Sequence, residues 1–285
     1  LYIRGRLLYW LSLERRHNAT AQAAQRDLRR LLERYPNDLL LQMYTGTRVD
    51  LPDACDCIDV HGTAPKWSRL QFEALCRLRR IIHWWVEERQ AENGELGGKL
   101  GDDVEILRWW EALVLAGDAV TQSGWQRLAD GVWHSNKVHQ GYARHVSDVE
   151  HASEFIADTA PLMPLFKDEP EYLDRLRHSA RHFEDLWTAV TPRGHRFFRS
   201  SWYSSSAVET EEPKGRDTEY NCRAVKALRF LAWRAEDARV IDLLEEWSAA
   251  WLSAALRTDK GKPRGIIPPS VRFPDEAING DQTEW

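Results

Sequence analysis

Four glycines, Gly94, Gly97, Gly98 and Gly101, set among Asn93, Glu95, Asp102 and Asp103, interrupt patterning that is otherwise helical. Before them Trp67, Leu70, Ala74, Leu78, Ile81 and Trp85 recur at helical spacing, and after them Val104, Leu107, Trp110 and Val114 do the same. Ala91 to Glu105 therefore reads as a loop joining two long amphipathic helices. A plain connection needs a few polar residues and one glycine, whereas this composition suits a backbone that approaches a ligand closely. The same residues also carry a structural reading, because Asp102 with Glu105 three positions on makes a capping box that only stabilises a helix. Asn93 and Asp103 fall outside that reading and are candidate site residues.

Helix pairs recur along the chain. Leu1 to Arg16 and Thr20 to Arg34 read as a hairpin closed by Tyr35-Pro36-Asn37-Asp38, with Leu28, Leu31 and Leu32 facing inward. Thr45 to Pro65 is a long irregular connection, either part of a site rim or a disordered excursion. A helix through Trp125, Leu128 and Trp133 precedes a histidine-rich stretch, His139 to Glu154. There Ser147 and Glu150 form a capping box, which places His145 just before a helix and His151 in its early turns, near Asp148 and Glu154. Pro161 and Pro164 end that helix, and from Glu169 the residues Leu173, Leu176, Ala180, Phe183, Trp187 and Val190 hold one stripe. His195 to Tyr203 is the best strand or hairpin candidate. Ser204 to Gly215 is a polar loop, Val225, Leu228 and Leu231 mark one further helix, and Ile241, Leu244, Trp247 and Trp251 mark its partner. Asp259 to Trp285 is irregular. The expected fold is mostly α: antiparallel helical hairpins forming an α/α toroid or an incomplete arc of one, as a single domain over 1–285.

Charge and composition narrow the function. The net charge is −5, with Arg and Glu scattered rather than blocked, so no footprint for nucleic acid or an anionic membrane appears. No uninterrupted apolar span and no basic-then-apolar leader is visible. Fourteen tryptophans exceed what a helical core needs, and the surplus offers flat platforms for sugar rings. Cys55, Cys57, Cys76 and Cys222 fit neither a zinc ribbon nor a dense disulfide framework and read as free thiols, leaving the redox compartment open.

The helical hairpins, the abundant Trp, the Asn-Gly-Glu-Leu-Gly-Gly loop running into Gly-Asp-Asp-Val-Glu, and the Tyr-Ala-Arg-His segment together resemble α/α-toroid carbohydrate-active enzymes, among them uronate-cleaving polysaccharide lyases and several glycoside hydrolase groups. Fewer hairpins are visible than a closed toroid holds, so an arc, or a fragment of a longer chain, fits as well. The resemblance implies a polysaccharide or oligosaccharide substrate and a secreted or periplasmic location. In such lyases Asn or Arg engages the uronate carboxylate while His and Tyr exchange protons. That gives Asn93 and Arg144 the first role, makes His145 the base and Tyr142 the acid, and puts both loops on one rim. Trp84, Trp109, Trp202 and Trp285, with Glu95, Asp102 and His151, would line the cleft. Hydrolysis is the alternative, with Asp102, Asp103 or Glu105 as one carboxylate and Asp148 or Glu150 as its partner. No cofactor is required, although His145, Asp148 and His151 could together take a divalent metal. A non-catalytic helical scaffold is a third reading. Taken singly, Tyr142 reads as an interfacial aromatic, Arg144 as a surface ion pair, and His145 or His151 as a loop histidine.

Overall fold

The structure, a computed structural model, describes residues 1–49 and 64–278. Cys55, Cys57, Trp285 and most of the Thr45 to Pro65 connection lie outside the described residues. The chain divides into two compact units, Leu1–Glu73 and Ala74–Trp285.

In the first unit, α1 (Tyr2–Arg15) and α2 (Asn18–Arg34) form the expected hairpin, turned by Arg16 in the left-handed region. Gly5 lets α1 lie against Leu28, and Arg4 donates to both oxygens of Asp27 at 2.6 and 2.7 Å. Asp38 caps α3 (Leu39–Tyr44) by accepting from the Leu41 amide. Ala24, Leu28 and Leu41 are the core, with Leu31 and Leu32 packed partly against it.

The helix α4 (Lys66–Glu88) spans the boundary between the units. Its buried residues are Ile82 and Val86, whereas Trp67, Leu70, Ile81 and Trp85 are exposed, so the packing face is displaced by about one residue from the expected stripe. Val86 sits where Gly124 has no side chain, and that contact sets the face. The second long helix expected after the glycine-rich loop is broken into α5 (Leu100–Ile106), a 3-10 turn and α6 (Glu111–Leu115). Because α5 begins after Lys99 with no side-chain cap, Asp102 and Asp103 lie within its first turn and the expected capping box does not form.

Then come α7 (Ala119–His134), capped by Asp118, and a two-residue hairpin of β1 (Val138–His139) and β2 (Tyr142–Ala143). Gln140 and Gly141 both take positive φ, 47° and 77°, as a tight hairpin turn with the right twist requires. After β3 (Ser147–Asp148), α8 (Val149–Ala157) is capped by Asp148 and not by the expected Ser147: the Asp148 carboxylate accepts from the amides of Glu150 and His151 at 3.1 and 3.2 Å. Next follow α9 (Met163–Phe166) and α10 (Pro170–His182), which runs into a π-helical turn, Phe183–Trp187. The aromatic stretch is strand, as expected, but its halves pair elsewhere: β4 (Thr188–Val190) with β5 (Arg196–Phe198), and β6 (Trp202–Tyr203) with β3. Val190 accordingly leaves the α10 stripe and stands exposed. The chain continues with β7 (Arg216–Thr218), α11 (Lys226–Arg234), α12 (Ala238–Leu256) and β8 (Ser270–Arg272), which pairs with β7 inside the tail expected to be irregular.

The protein is thus mostly helical, its sheets being short two-stranded pairs among the described residues. Trp125, Trp187, Tyr142, Tyr203, Phe183 and Phe198 are fully buried in the centre of the second unit. Two polar anchors hold its end: the Lys262 ammonium donates to the carbonyls of Ala255, Pro263 and Ile266, and buried Glu276 accepts from Thr191 and lies 3.1 Å from His195 Nδ1. No helix among the described residues is long and apolar enough to cross a membrane.

Candidate functional site

The glycine-rich loop is a packed connection. A Cβ on Gly94, whose φ is +89°, would lie 2.4 Å from Leu128 Cα, and one on Gly131 would lie 1.8 Å from the Asn93 carbonyl. The loop therefore presses its backbone onto α7, and its glycines answer to that contact. Asn93 is exposed, and its side chain accepts from the Glu95 amide at 3.2 Å in a local turn. Asp103 is only 3% exposed, and its two oxygens take the amides of Leu96 (2.8 Å) and Gly98 (3.1 Å). These two bonds shape the loop. Asp102 is exposed and Glu95 half-buried.

Among the described residues no hydrogen bond joins the four groups assigned to elimination to one another. Tyr142 is sealed beneath Trp187 and Tyr203, with ring centroids 4.3 and 6.1 Å away, and its hydroxyl is bonded to Ser153 Oγ at 2.5 Å. Burial pushes its phenol far above the ordinary range, so the hydroxyl stays protonated at neutral pH and is a weakened acid. Arg144 is exposed and donates to the Asn136 carbonyl at 2.7 Å. His145 is exposed and makes no hydrogen bond among the described residues, and none joins it to Asn93. His151 instead pairs with its own cap, Asp148, at 2.8 Å. Each group stabilises the other's charge, raising the imidazole's pKa and lowering the carboxyl's. Among the described residues no group of three or more His, Cys, Asp or Glu is placed to hold a metal ion. Trp84 packs edge-on against Trp85, Trp109 is exposed, and Trp202 lies under the Lys214 ammonium at 4.0 Å; no ring contact joins the three.

A different constellation does form, where α5 packs on α8. From α8 come Glu150 and Glu154, and from its C-cap Asp158, spaced i, i+4, i+8 and so on one face. From α5 and the turn after it come Glu105 and Arg108, and from the segment leading into α11 come Arg223 and Lys226. Asp158, nearly buried, is held by Arg223 at 2.8 Å, Arg108 at 3.2 Å and Lys226 at 3.3 Å. Arg108 also pairs with Glu105, and the Arg223 guanidinium reaches Glu105 at 3.7 Å and Glu150 at 3.6 Å. Arg223 thus ties together carboxylates from both helices.

Glu154 is the exception in this cluster. It is 6% exposed, and no donor among the described residues reaches its carboxyl group. Desolvation, the dominant cause, raises it to about 7; Glu105 and Asp158 add to the rise, against His151 and Arg223. A Cβ on Gly101 would lie 2.6 Å from its Oε1, so the absence of a side chain there leaves room for the carboxyl group. Members of the cluster line two pockets, although Glu154 lines neither. One of about 340 Å³ is lined by Glu150, Ser201, Thr218 and Tyr220. The other, of about 640 Å³, is lined by Asp158, Lys226, Arg229, Phe230 and Trp233.

Glu154, Asp158, Arg108 and Arg223 were not among the residues the sequence singled out as a site. The i, i+4, i+8 carboxylates of α8 were legible as a pattern, whereas the arrival of Arg223 depends on tertiary structure. Comparison with protein-family models, curated proteins and solved structures finds no match.

Proposed function

We propose that the protein is a carbohydrate-active enzyme, part or all of an α/α toroid, that cleaves a polysaccharide by hydrolysis, with Glu154 as the general acid. The observation that carries this reading is the meeting of α5 and α8. It places a buried, unpartnered carboxyl group, still substantially protonated near neutral pH, beside carboxylates that are tied to arginine. Glycosidic hydrolysis needs such a contrast: one carboxyl group protonates the departing oxygen while another, charged, activates water or attacks. Glu105, paired with Arg108 and reached by Arg223, supplies the charged partner. Elimination, the first expectation from the sequence, is less well supported, because Tyr142 is buried and bonded to Ser153 while Arg144 and His145 face solvent.

The test is incubation with polygalacturonate, alginate, hyaluronan, xylan and a soluble β-glucan, following both reducing ends and the ultraviolet absorbance of unsaturated uronate. Hydrolysis gives reducing ends without absorbance, abolished in Glu154→Gln and retained in His145→Ala. Absorbance that survives in Glu154→Gln and disappears in His145→Ala would restore elimination.

A further inference from the structure

A further cavity, of about 510 Å³, lies where the Asn93 loop meets α7, and it shares no residue with the Glu154 cluster. Its size is within the range of small-molecule sites, about 300 to 1,000 Å³. Arg127, Asp130, Gly131 and His134 line it from α7, spaced i, i+3, i+4, i+7 and so on one face of the helix, while Glu92 and Asn93 line it from the loop. Gly131 lets the loop settle on this face, since a Cβ there would come within 1.8 Å of the Asn93 carbonyl oxygen. No Trp, Tyr or Phe lines the cavity, unlike the two pockets described above, so a ligand here is held by hydrogen bonds and charge.

Two donors in the cavity are unspent. Among the described residues the half-buried Arg127 guanidinium makes no hydrogen bond or ion pair. Asn93 uses its side-chain oxygen for the Glu95 amide, which sets the orientation of its amide group and leaves the Nδ2 hydrogens uncommitted. Two acceptors are unspent as well. His134 donates from Nδ1 to the Asp130 carbonyl at 2.8 Å, so Nε2 of the neutral ring is a free acceptor, and among the described residues the exposed Glu92 carboxylate is paired with no cation. The Asp130 carboxylate, by contrast, is committed to Arg175 through one oxygen and to the Tyr172 hydroxyl through the other. A guanidinium partly withdrawn from water matches the geometry of a carboxylate. Nε2 and Glu92 accept from hydroxyl groups, which a fully ionised phosphate does not offer, and Glu92 repels a doubly charged anion. From these unspent groups we infer that the cavity binds a small polyhydroxy carboxylate, its carboxylate on Arg127 and Asn93 and its hydroxyls on His134 and Glu92. Such binding does not depend on Glu154.

Calorimetric titration of the full chain with gluconate tests this, with sorbitol, acetate and inorganic phosphate as comparisons. Gluconate should bind saturably at millimolar concentration. Sorbitol, which lacks the carboxylate, acetate, which lacks the hydroxyls, and phosphate should each bind at least about tenfold more weakly. Asn93→Asp keeps an oxygen for the local turn and exchanges the amide donor for a carboxylate oxygen. That variant and Arg127→Gln should each weaken gluconate binding by about tenfold or more, the loss of one charge-assisted hydrogen bond. Arg234→Gln, at an exposed arginine of α11, and Glu154→Gln should bind gluconate as the wild type does, with far-ultraviolet circular dichroism unchanged throughout. No saturable binding, equal binding of any comparison compound, or affinity retained in both Arg127→Gln and Asn93→Asp would overturn the inference and leave hydrolysis standing. Loss of gluconate binding in Glu154→Gln would overturn it too.

Discussion

Glu154 and Asp217 are both buried carboxyl groups, Asp217 completely and Glu154 with 6% of its surface exposed, and burial raises both, to about 7 and about 6 respectively. Their surroundings differ in kind. Asp217 receives hydrogen bonds from the Phe198 amide at 3.1 Å, Asn221 Nδ2 at 2.8 Å, and the indole N–H groups of Trp247 and Trp251 at 2.7 and 3.1 Å. It binds β5, α12 and the strand β7 that carries it into one unit. Glu154 receives none, yet lies against Gly101 within a charged cluster whose Glu150 and Asp158 each line a pocket. A raised carboxyl group alone therefore does not mark a site. One that the protein leaves without donors has free capacity for a substrate, while one that the protein saturates belongs to the scaffold.

The comparison breaks most visibly in Glu154→Gln. Loss of a general acid should lower kcat/KM by about 10² to 10⁴, with thermal stability held or increased. A variant that loses stability but keeps activity would place Glu154 with Asp217. Asp217→Ala should do the reverse, destabilising by about 3 kcal/mol or more in denaturant unfolding, because four donors are left unsatisfied. Residual activity per folded molecule should be unchanged.

The two groups also predict pH dependence. Both are raised in the folded state, so the stability each contributes is fully present below its ordinary carboxyl range and is lost as pH rises through about 6 for Asp217 and about 7 for Glu154. Measured across this range, Glu154→Gln should show a shallower decline than the wild type, and activity should fall on the alkaline side as Glu154 loses its proton. A smaller effect is expected at Tyr142→Phe. It removes only the hydrogen bond to Ser153, costing about 1 kcal/mol, and should leave kcat/KM within about twofold. His145→Ala, at an exposed residue without a hydrogen bond, should change neither stability nor rate measurably. A large rate loss at either position would reopen elimination.

The helical character was legible because periodicity survives in single segments: Leu173, Leu176, Ala180, Phe183 and Trp187 do lie on the buried side of α10 and its π-helical turn. The short strands were less so, since two or three residues cannot display a period of two, and the partners of β5 and β6 lie elsewhere in sequence. Cap assignment failed where alternatives adjoin, as with Ser147 and Asp148, because either side chain suits the position and only backbone direction decides. The glycine-rich loop misled for a related reason. A glycine needed for ligand approach and one needed for packing on α7 look the same in sequence, and the Gly131 contact beneath Asn93 separates them. Glu154 was in view, but its burial depends on Gly101 coming from another helix.

The pairing of β7 with β8, and the anchoring of Lys262 and Glu276, bear on the order in which the protein folds. The elements that carry Glu105, Glu150, Glu154 and Asp158 precede β7 and β8 in the chain. Arg223 follows β7, and β7 has no partner strand until Ser270–Arg272 is in place. Until then Arg108 alone links Asp158 to Glu105, and the acidic face of α8 lacks the second guanidinium, Arg223, that reaches Glu105, Glu150 and Asp158 together. Ordering of the segment that leads to Arg223 thus draws on a strand well downstream in the chain, a non-local pairing whose loop-closure cost places it late in folding.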